Sequence, residues 1–341
     1  MDEDLTDRKK ACARVIMQNA DDSAAYLSVA CTCGMCRIQG AQQMTDTAES
    51  KPKWLNLTFD SQIFSSFMAC PREMNYKFNQ HLVPIGGVSK GIEKGTLAHV
   101  GLQVYYEGMK EGIDYSIRKL MGINAIKERA PTMDRLEGED IVDIINTFEE
   151  YCEFRKNDIF QVVFTEKVFK LIVYEEFPLR VIITGRIDLG INEPQFEGIT
   201  PIDHKSESEH WFYSSLSNQF KFYAIACNSN RLIVNRFGFQ KTVKADKKFK
   251  RDELSFEADV IEEFKQEVIP YYARAMIVAM NENYFPPNYT NCIKGHFACI
   301  FSDKYSGGIC TIDRSLRQPK LNTYFQIKEW DPSFDETKPN G

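Results

Sequence analysis

No stretch of this chain is apolar for long enough to cross a bilayer, and the opening MDEDLTDRKK carries no apolar signal segment. The expectation is a cytoplasmic or otherwise intracellular protein with no membrane partner. There is no Gly-rich phosphate loop, no Walker-type Gly-Lys-Ser/Thr and no internal repeat, so the chain includes no nucleotide-driven motor. Positive charge is short as well: 42 Lys and Arg stand against 48 Asp and Glu, a net charge of -6. That balance argues against a generally sticky nucleic-acid binder, which would be basic. Histidine is scarce, with five in all and none before His81.

What the chain does have is enough apolar material for a core, 43% hydrophobic over 341 residues. Residues 1–55 read as a peripheral Cys-containing segment and linker, because AQQMTDTAESKPK is polar, aperiodic and broken by proline. Periodicity then predicts helices near 61–79, 92–111, 135–156, 210–227 and 255–281, and strands near 160–174, 180–190, 199–206 and 231–240. The result is an α/β fold: a short mixed central sheet flanked by helices, with the chemistry-bearing residues near one edge. One domain over 56–310 and a C-terminal tail over 311–341 follow from the same pattern.

The run VIITGRIDLG carries Gly185 and Asp188, and ITPIDHKS carries Asp203, His204 and Lys205 after the turn-forming Asn192-Glu193-Pro194 and Gly198. These segments predict two strands joined as a hairpin. Residues two apart share a face, so Asp203 and Lys205 project together and Asp188 comes near from the neighbouring strand. Hard divalent cations prefer such oxygen donors, and an ammonium beside them can orient water and balance charge on a phosphate. In a chain with 26% charged residues most acid-x-Lys triplets are solvated ion pairs. Here the charges interrupt otherwise apolar faces, and a bound cation would offset the cost of burying an unpaired carboxylate. Downstream, SSLSNQFKFYAIACN places Gln219 and Tyr223 on adjacent turns of one helix face. Upstream, a helix over GIEKGTLAHVGLQVYYEGMKEG carries His99 beside Leu97 and Val100, where a lone histidine is more often a core residue than a ligand.

In order, His99, Gly185-x-x-Asp188, Asp203-x-Lys205 and Gln219-x3-Tyr223 resemble the RecB-type branch of the PD-(D/E)xK nuclease superfamily, over roughly residues 58–310. The resemblance implies a restriction-endonuclease-like core acting on DNA with Mg²⁺ or Mn²⁺. It implies metal binding by His99, Asp188, Asp203 and the backbone carbonyl of His204, catalysis by Lys205, and organisation of the site and the DNA by Gln219 and Tyr223.

The ten cysteines are unevenly spread. In an intracellular chain clustered cysteines more often bind metal than form disulfides. Cys292, Cys299 and Cys310 lie in an irregular segment that needs a staple, and Cys70 stands far upstream beside Pro71 and Arg72. Four thiolates is the number that a [4Fe-4S] cluster or a structural zinc requires. The arrangement resembles the iron-sulfur members of the RecB-type family, among them CRISPR-associated exonucleases, AddB-type nuclease domains and phage homologues, where a cluster clasps the two ends of the fold. The spacing Cys292-x6-Cys299-x10-Cys310 is wider than in many members, so a [4Fe-4S] cluster, structural Zn²⁺ and free cysteines all stay open. Cys31, Cys33 and Cys36 have no neighbouring histidine to complete a zinc site. Cys152 and Cys227 fall at apolar helical positions and read as small core residues.

The segment GFQKTVKADKKFKRDE gathers basic residues after a predicted strand. A solvated loop and a DNA-backbone contact through Lys244, Lys247, Lys248 and Lys250 explain it equally well. The leading expectation is a divalent-metal-dependent deoxyribonuclease hydrolysing phosphodiester bonds. By resemblance it is an exonuclease on single-stranded or processed ends in recombination, repair or phage DNA metabolism, virus-encoded in the phage setting, with a separate helicase or recombinase as partner. Two alternatives stand beside it: a non-catalytic DNA-binding or assembly module that keeps the fold and a structural cluster, and a structure-specific endonuclease.

Overall fold

The computed structural model describes residues 54–86, 89–207, 212–294, 297–302 and 308–328; Cys31, Cys33 and Cys36 lie outside them. Strand β1 (Leu55–Phe59) leads into helix α1 (Ser61–Ala69), whose first turn is capped by the Asp60 carboxylate accepting from the Ile63 N–H at 2.7 Å. The single helix predicted over 61–79 breaks at Cys70. Pro71 drives the residue before it into extended backbone, φ -161° and ψ 105°, so α2 (Pro71–Met74) and a π-turn (Asn75–Asn79) start afresh. After β2 (Leu82–Pro84) come α3 (Lys90–Lys110), α4 (Tyr115–Arg129) and α5 (Gly138–Arg155). Helix α4 was not predicted: it buries only Arg118, Gly122, Ile123 and Ile126, too narrow a stripe to announce itself.

Strands β3 (Gln161–Glu176), β4 (Leu179–Asn192), β5 (Thr200–Glu207) and β6 (Arg231–Gly238) match the predicted four within a few residues. Helix α6 (Asn218–Cys227) starts later than position 210, because Ser214 turns the chain through its hydroxyl and carbonyl, which accept from the N–H groups of Leu216 and Ser217, both at 3.1 Å. A short α7 (Ala245–Lys248), β7 (Arg251–Ser255), α8 (Ala258–Glu263) and α9 (Ile269–Asn281) follow. The chain then runs through β8 (Ile293–Lys294) and β9 (Phe297–Ala298) to α10 (Arg314–Tyr324) and β10 (Phe325–Ile327).

The main sheet is mixed, in the order β1-β4-β5-β6-β7, with β3 along the other side of β4. Strand β4 changes partner along its length. Leu179 to Ile183 pair in parallel with β1, and Leu189 to Ile191 pair antiparallel with β5. Residues 184–188 lie between the two, where β5 has parted from β4. This fork sits inside the sheet, a correction to the edge position expected from sequence. Side chains alternate cleanly on β6: Leu232 and Val234 pack with Phe220 and Tyr223 of α6, whereas Ile233 and Phe237 join the core built by α3, α4 and α5. Helices α1 and α9 pack with β1 and the first half of β4 in a second core around Phe64, Val181 and Met276.

The segment expected as a C-terminal tail is folded as far as the described residues extend. Strand β10 pairs antiparallel with β2, and Leu321 and Phe325 are buried with Tyr76, Leu82 and Phe301. Leu321→Ala is therefore expected to cost about 2–4 kcal/mol, read as a lower urea midpoint at unchanged slope. An unchanged midpoint would contradict the packing.

Candidate metal centre

Where β4 and β5 part, their backbone groups need new partners. Asp188 supplies one: its Oδ2 accepts the backbone N–H of His204 at 2.6 Å. Tyr223 of α6 supplies the other, donating its hydroxyl to the Arg186 carbonyl at 2.6 Å. Gly185 makes room for this, since a Cβ there would stand 2.9 Å from the ring of Phe169, its partner on β3. That ring in turn meets Tyr223 edge-on at 6.2 Å.

Helix α3 brings the histidine. A Cβ on Gly95 would fall 2.6 Å from the Ser206 hydroxyl, so the helix lies close against β5 here and a larger residue would have to turn that hydroxyl aside. One turn on, His99 Nδ1 is 3.7 Å from Asp188 Oδ2. Glu166 joins them, a residue that sequence reasoning missed. The ligand atoms of His99, Glu166 and Asp188 all lie within 4.8 Å of one another, and Glu166 also pairs with Arg186 at 2.7 Å. Its position depends on an irregularity. The register shift between Ile172 and Tyr174 moves β3 by one residue, so that Glu166, at φ 43°, falls across from Asp188 where an unbroken ladder would put Lys167.

On the α6 face, Asp203 and Lys205 project together as predicted. Lys205 Nζ is 2.8 Å from Asp203 Oδ2 and donates to Gln219 Oε1 at 3.2 Å. The Gln219 amide donates to Asp203 Oδ1 at 3.1 Å and to the Tyr223 hydroxyl at 3.0 Å. This fixes the direction of every bond from the ammonium to the Arg186 carbonyl. Burial pushes the Asp203 carboxyl up to about 6, against the pull of Lys205 and with help from Asp188. Burial works to lower the Lys205 ammonium, but Asp203 and Asp188 outweigh it and hold it above the usual lysine range. Lys205 is thus a charged donor at neutral pH.

The donor set suits a hard divalent cation: one imidazole, two clustered carboxylates and the adjacent Asp203. Asp203 Oδ2 is buried and accepts no hydrogen bond, its ammonium neighbour lying outside bonding geometry. Burial holds this carboxyl up even with the ammonium 2.8 Å away, so a further positive charge beside it would be favourable.

The cysteines at 70, 292, 299 and 310 form no disulfide among the described residues. The Cys310 thiol is pushed up by burial, with Arg72, Cys292 and Cys70 within electrostatic reach, and Cys299 is pushed up to about 12 by burial with Cys310 nearby. No three of these sulfurs come within 4.8 Å of one another. Of the basic segment, Lys244, Lys247 and Lys250 are exposed. Lys248 is buried against Glu150, and Arg251 is bonded to Asp158, so both serve the fold. Cys152 is fully buried in the core as expected, whereas Cys227 is half-buried at the margin of a core cluster.

A sequence model of the PD-(D/E)XK nuclease superfamily matches residues 62–301. The chain belongs to that superfamily. No curated protein matches it in sequence. The crystal structure of SSO0001 aligns with 87% of this chain and 94% of its own at 12% identity, with a TM-score of 0.32, too low to support any argument. Among the described residues no helix is long and apolar enough to cross a membrane.

The Asp203 carboxyl has a definite stability signature. Raised above its unfolded value, it binds a proton in the folded state first, so its contribution favours the fold as pH falls through about 6 and opposes it at pH 7 and above. Asp203→Asn is expected to stabilise the metal-free protein by about 1–3 kcal/mol at pH 7.5, with the gain shrinking by pH 5. Thermal melts in chelator check this; a gain that does not vary with pH would refute it.

Proposed function

We propose that this protein is a Mg²⁺- or Mn²⁺-dependent deoxyribonuclease. The observation that carries the proposal is the meeting of His99, Glu166 and Asp188 within 4.8 Å, beside a buried Asp203 bonded to Gln219 and ion-paired with Lys205. His99, Asp188 and Asp203, with the His204 carbonyl, would hold the cation, and Glu166 extends the set. When bound, the cation supplies charge to a phosphate and lowers the pKa of a water. Lys205 keeps its proton and is aimed by Asp203 and Gln219, so it serves as a donor to negative charge growing on phosphate oxygen, not as a base. Gln219 and Tyr223 hold this geometry against the open backbone of β4. The completeness of the set counts against a non-catalytic module.

Action at single-stranded or processed ends is the mode that the resemblance to the exonuclease branch favours, in recombination, repair or phage DNA metabolism beside a separate helicase or recombinase. Exposed Lys244, Lys247 and Lys250 are candidates for the DNA backbone. End-labelled linear DNA should be degraded with Mn²⁺, and Asp188→Ala or Lys205→Ala should each cut the rate by about 100-fold or more. Full activity in either variant refutes the mechanism. Circular single-stranded DNA separates the modes: an exonuclease leaves it intact, and cleavage would assign an endonuclease.

We further propose that Cys70, Cys292, Cys299 and Cys310 hold a [4Fe-4S] cluster. The resemblance to the iron-sulfur branch favours that cluster over a structural zinc, which the same four thiolates could also hold. Two cations support an anionic group there: Arg72 lies near Cys310 and Arg317 donates to the Cys310 carbonyl at 3.4 Å. Protein purified without oxygen should be coloured and carry about four irons per chain, and Cys292→Ser should lose both. A colourless, zinc-loaded protein would overturn this assignment.

A further inference from the structure

Behind the metal centre a row of polar side chains crosses the sheet. His204, Asn235 and Arg251 are register partners on β5, β6 and β7. Asn235, at 0% exposure, donates its amide to the Tyr151 hydroxyl at 2.9 Å and faces His204 Nδ1 at 2.9 Å. Its carbonyl accepts from Arg251 Nε at 3.1 Å. The Arg251 guanidinium closes on Asp158 through bonds of 3.0 and 2.6 Å and donates to the Tyr106 hydroxyl at 3.1 Å. The Tyr106 and Tyr151 hydroxyls are 2.6 Å apart.

On β6 the neighbours of Asn235 that pack into the cores are Ile233, Val234 and Phe237, so this row is not a solvated face. A buried ion pair is weak evidence for stability, since well-packed apolar residues often do as well. The polar row has a different consequence. With the Asn235 oxygen taken by Arg251, its NH₂ faces His204, so Nδ1 accepts and the ring proton belongs on Nε2.

That ring touches both sides of the centre. It lies flat against Tyr106, centroids 5.6 Å apart and planes 12° apart, and meets the His99 ring edge-on at 6.0 Å. His99 and Tyr106 are seven residues apart, two turns along one face of α3. The backbone N–H of the same His204 holds Asp188 Oδ2 at 2.6 Å. One residue therefore sets the helix-borne and the strand-borne members of the metal set relative to each other.

We infer that Asp158, Arg251, Asn235 and Tyr151 are positioning residues: they fix the His204 imidazole and through it the spacing of His99 and Asp188, and so set the affinity for the divalent cation. The inference rests on the metal reading above. Its test uses the full chain with Asn235→Leu and, as a milder change that keeps the ring, Tyr151→Phe. Mn²⁺ binding is measured by titration calorimetry and electron paramagnetic resonance, with near-ultraviolet circular dichroism to verify the fold. Folded Asn235→Leu should bind Mn²⁺ about 10-fold more weakly or worse, with a smaller loss in Tyr151→Phe, and the Mn²⁺ concentration for half-maximal nuclease activity should rise in parallel. Unchanged Mn²⁺ affinity in folded Asn235→Leu overturns the inference. If that variant does not fold, unchanged affinity in Tyr151→Phe overturns it. Should the unaltered protein bind no Mn²⁺, the metal reading itself falls.

Discussion

The parting of β4 from β5 is the constraint on which the rest of the site depends. A paired strand satisfies its own backbone; a parted one must recruit side chains to do so. Asp188 and Tyr223 answer the two demands made at this fork, at the His204 N–H and the Arg186 carbonyl. Both are thereby held in place before any substrate arrives. Gln219 and Lys205 are then fixed by bonding to groups already fixed, and α3 closes on the same opening through Gly95. Function is concentrated where regular structure stops, because that is where polar groups can be buried for a reason.

Much of this centre was legible in the sequence, because it rests on short-range periodicities. Asp203 and Lys205 share a face by the two-residue repeat of a strand, and Gln219 and Tyr223 by the four-residue step of a helix. Glu166 was not legible. Its place depends on a register shift beyond Ile172 and on pairing with a residue 22 positions away. The fold divides in the same manner. Long elements with strong periodicity were foreseen, whereas α4 has too thin an apolar stripe, and β1 and β7 are five-residue strands defined by their neighbours. The break at Cys70 was written in the sequence as Cys-Pro, yet the apolar spacing across it suggested one helix.

The basic segment illustrates how charge in a sequence differs from charge on a surface. Six cations follow β6 in close succession, but Lys248 and Arg251 turn inward to Glu150 and Asp158. Arg251 becomes part of the sheet's polar row. Lys241 and Lys250 remain at the surface and are answered by Asp143 and Asp252. The overall acidity of the chain is thus compatible with a phosphate-directed site, since Lys205 owes its charge to two local carboxylates and not to the net balance.

The segment around Cys70 is tied by hydrogen bonds of its own to the segment around Asn288. Asn288 donates to the Ala69 carbonyl at 2.9 Å and its N–H meets Cys70 Sγ at 3.3 Å, while Arg72 reaches the Phe285 carbonyl at 3.3 Å. These bonds close a loop of 218 residues, and the entropy of such a closure grows only with the logarithm of its length. Folding of the intervening sheet meets that cost, so the fold itself brings these two distant segments together. Residues 184–188 lie inside that loop, so the closure between Cys70 and Asn288 also encloses the strands that carry Asp188 and Asp203.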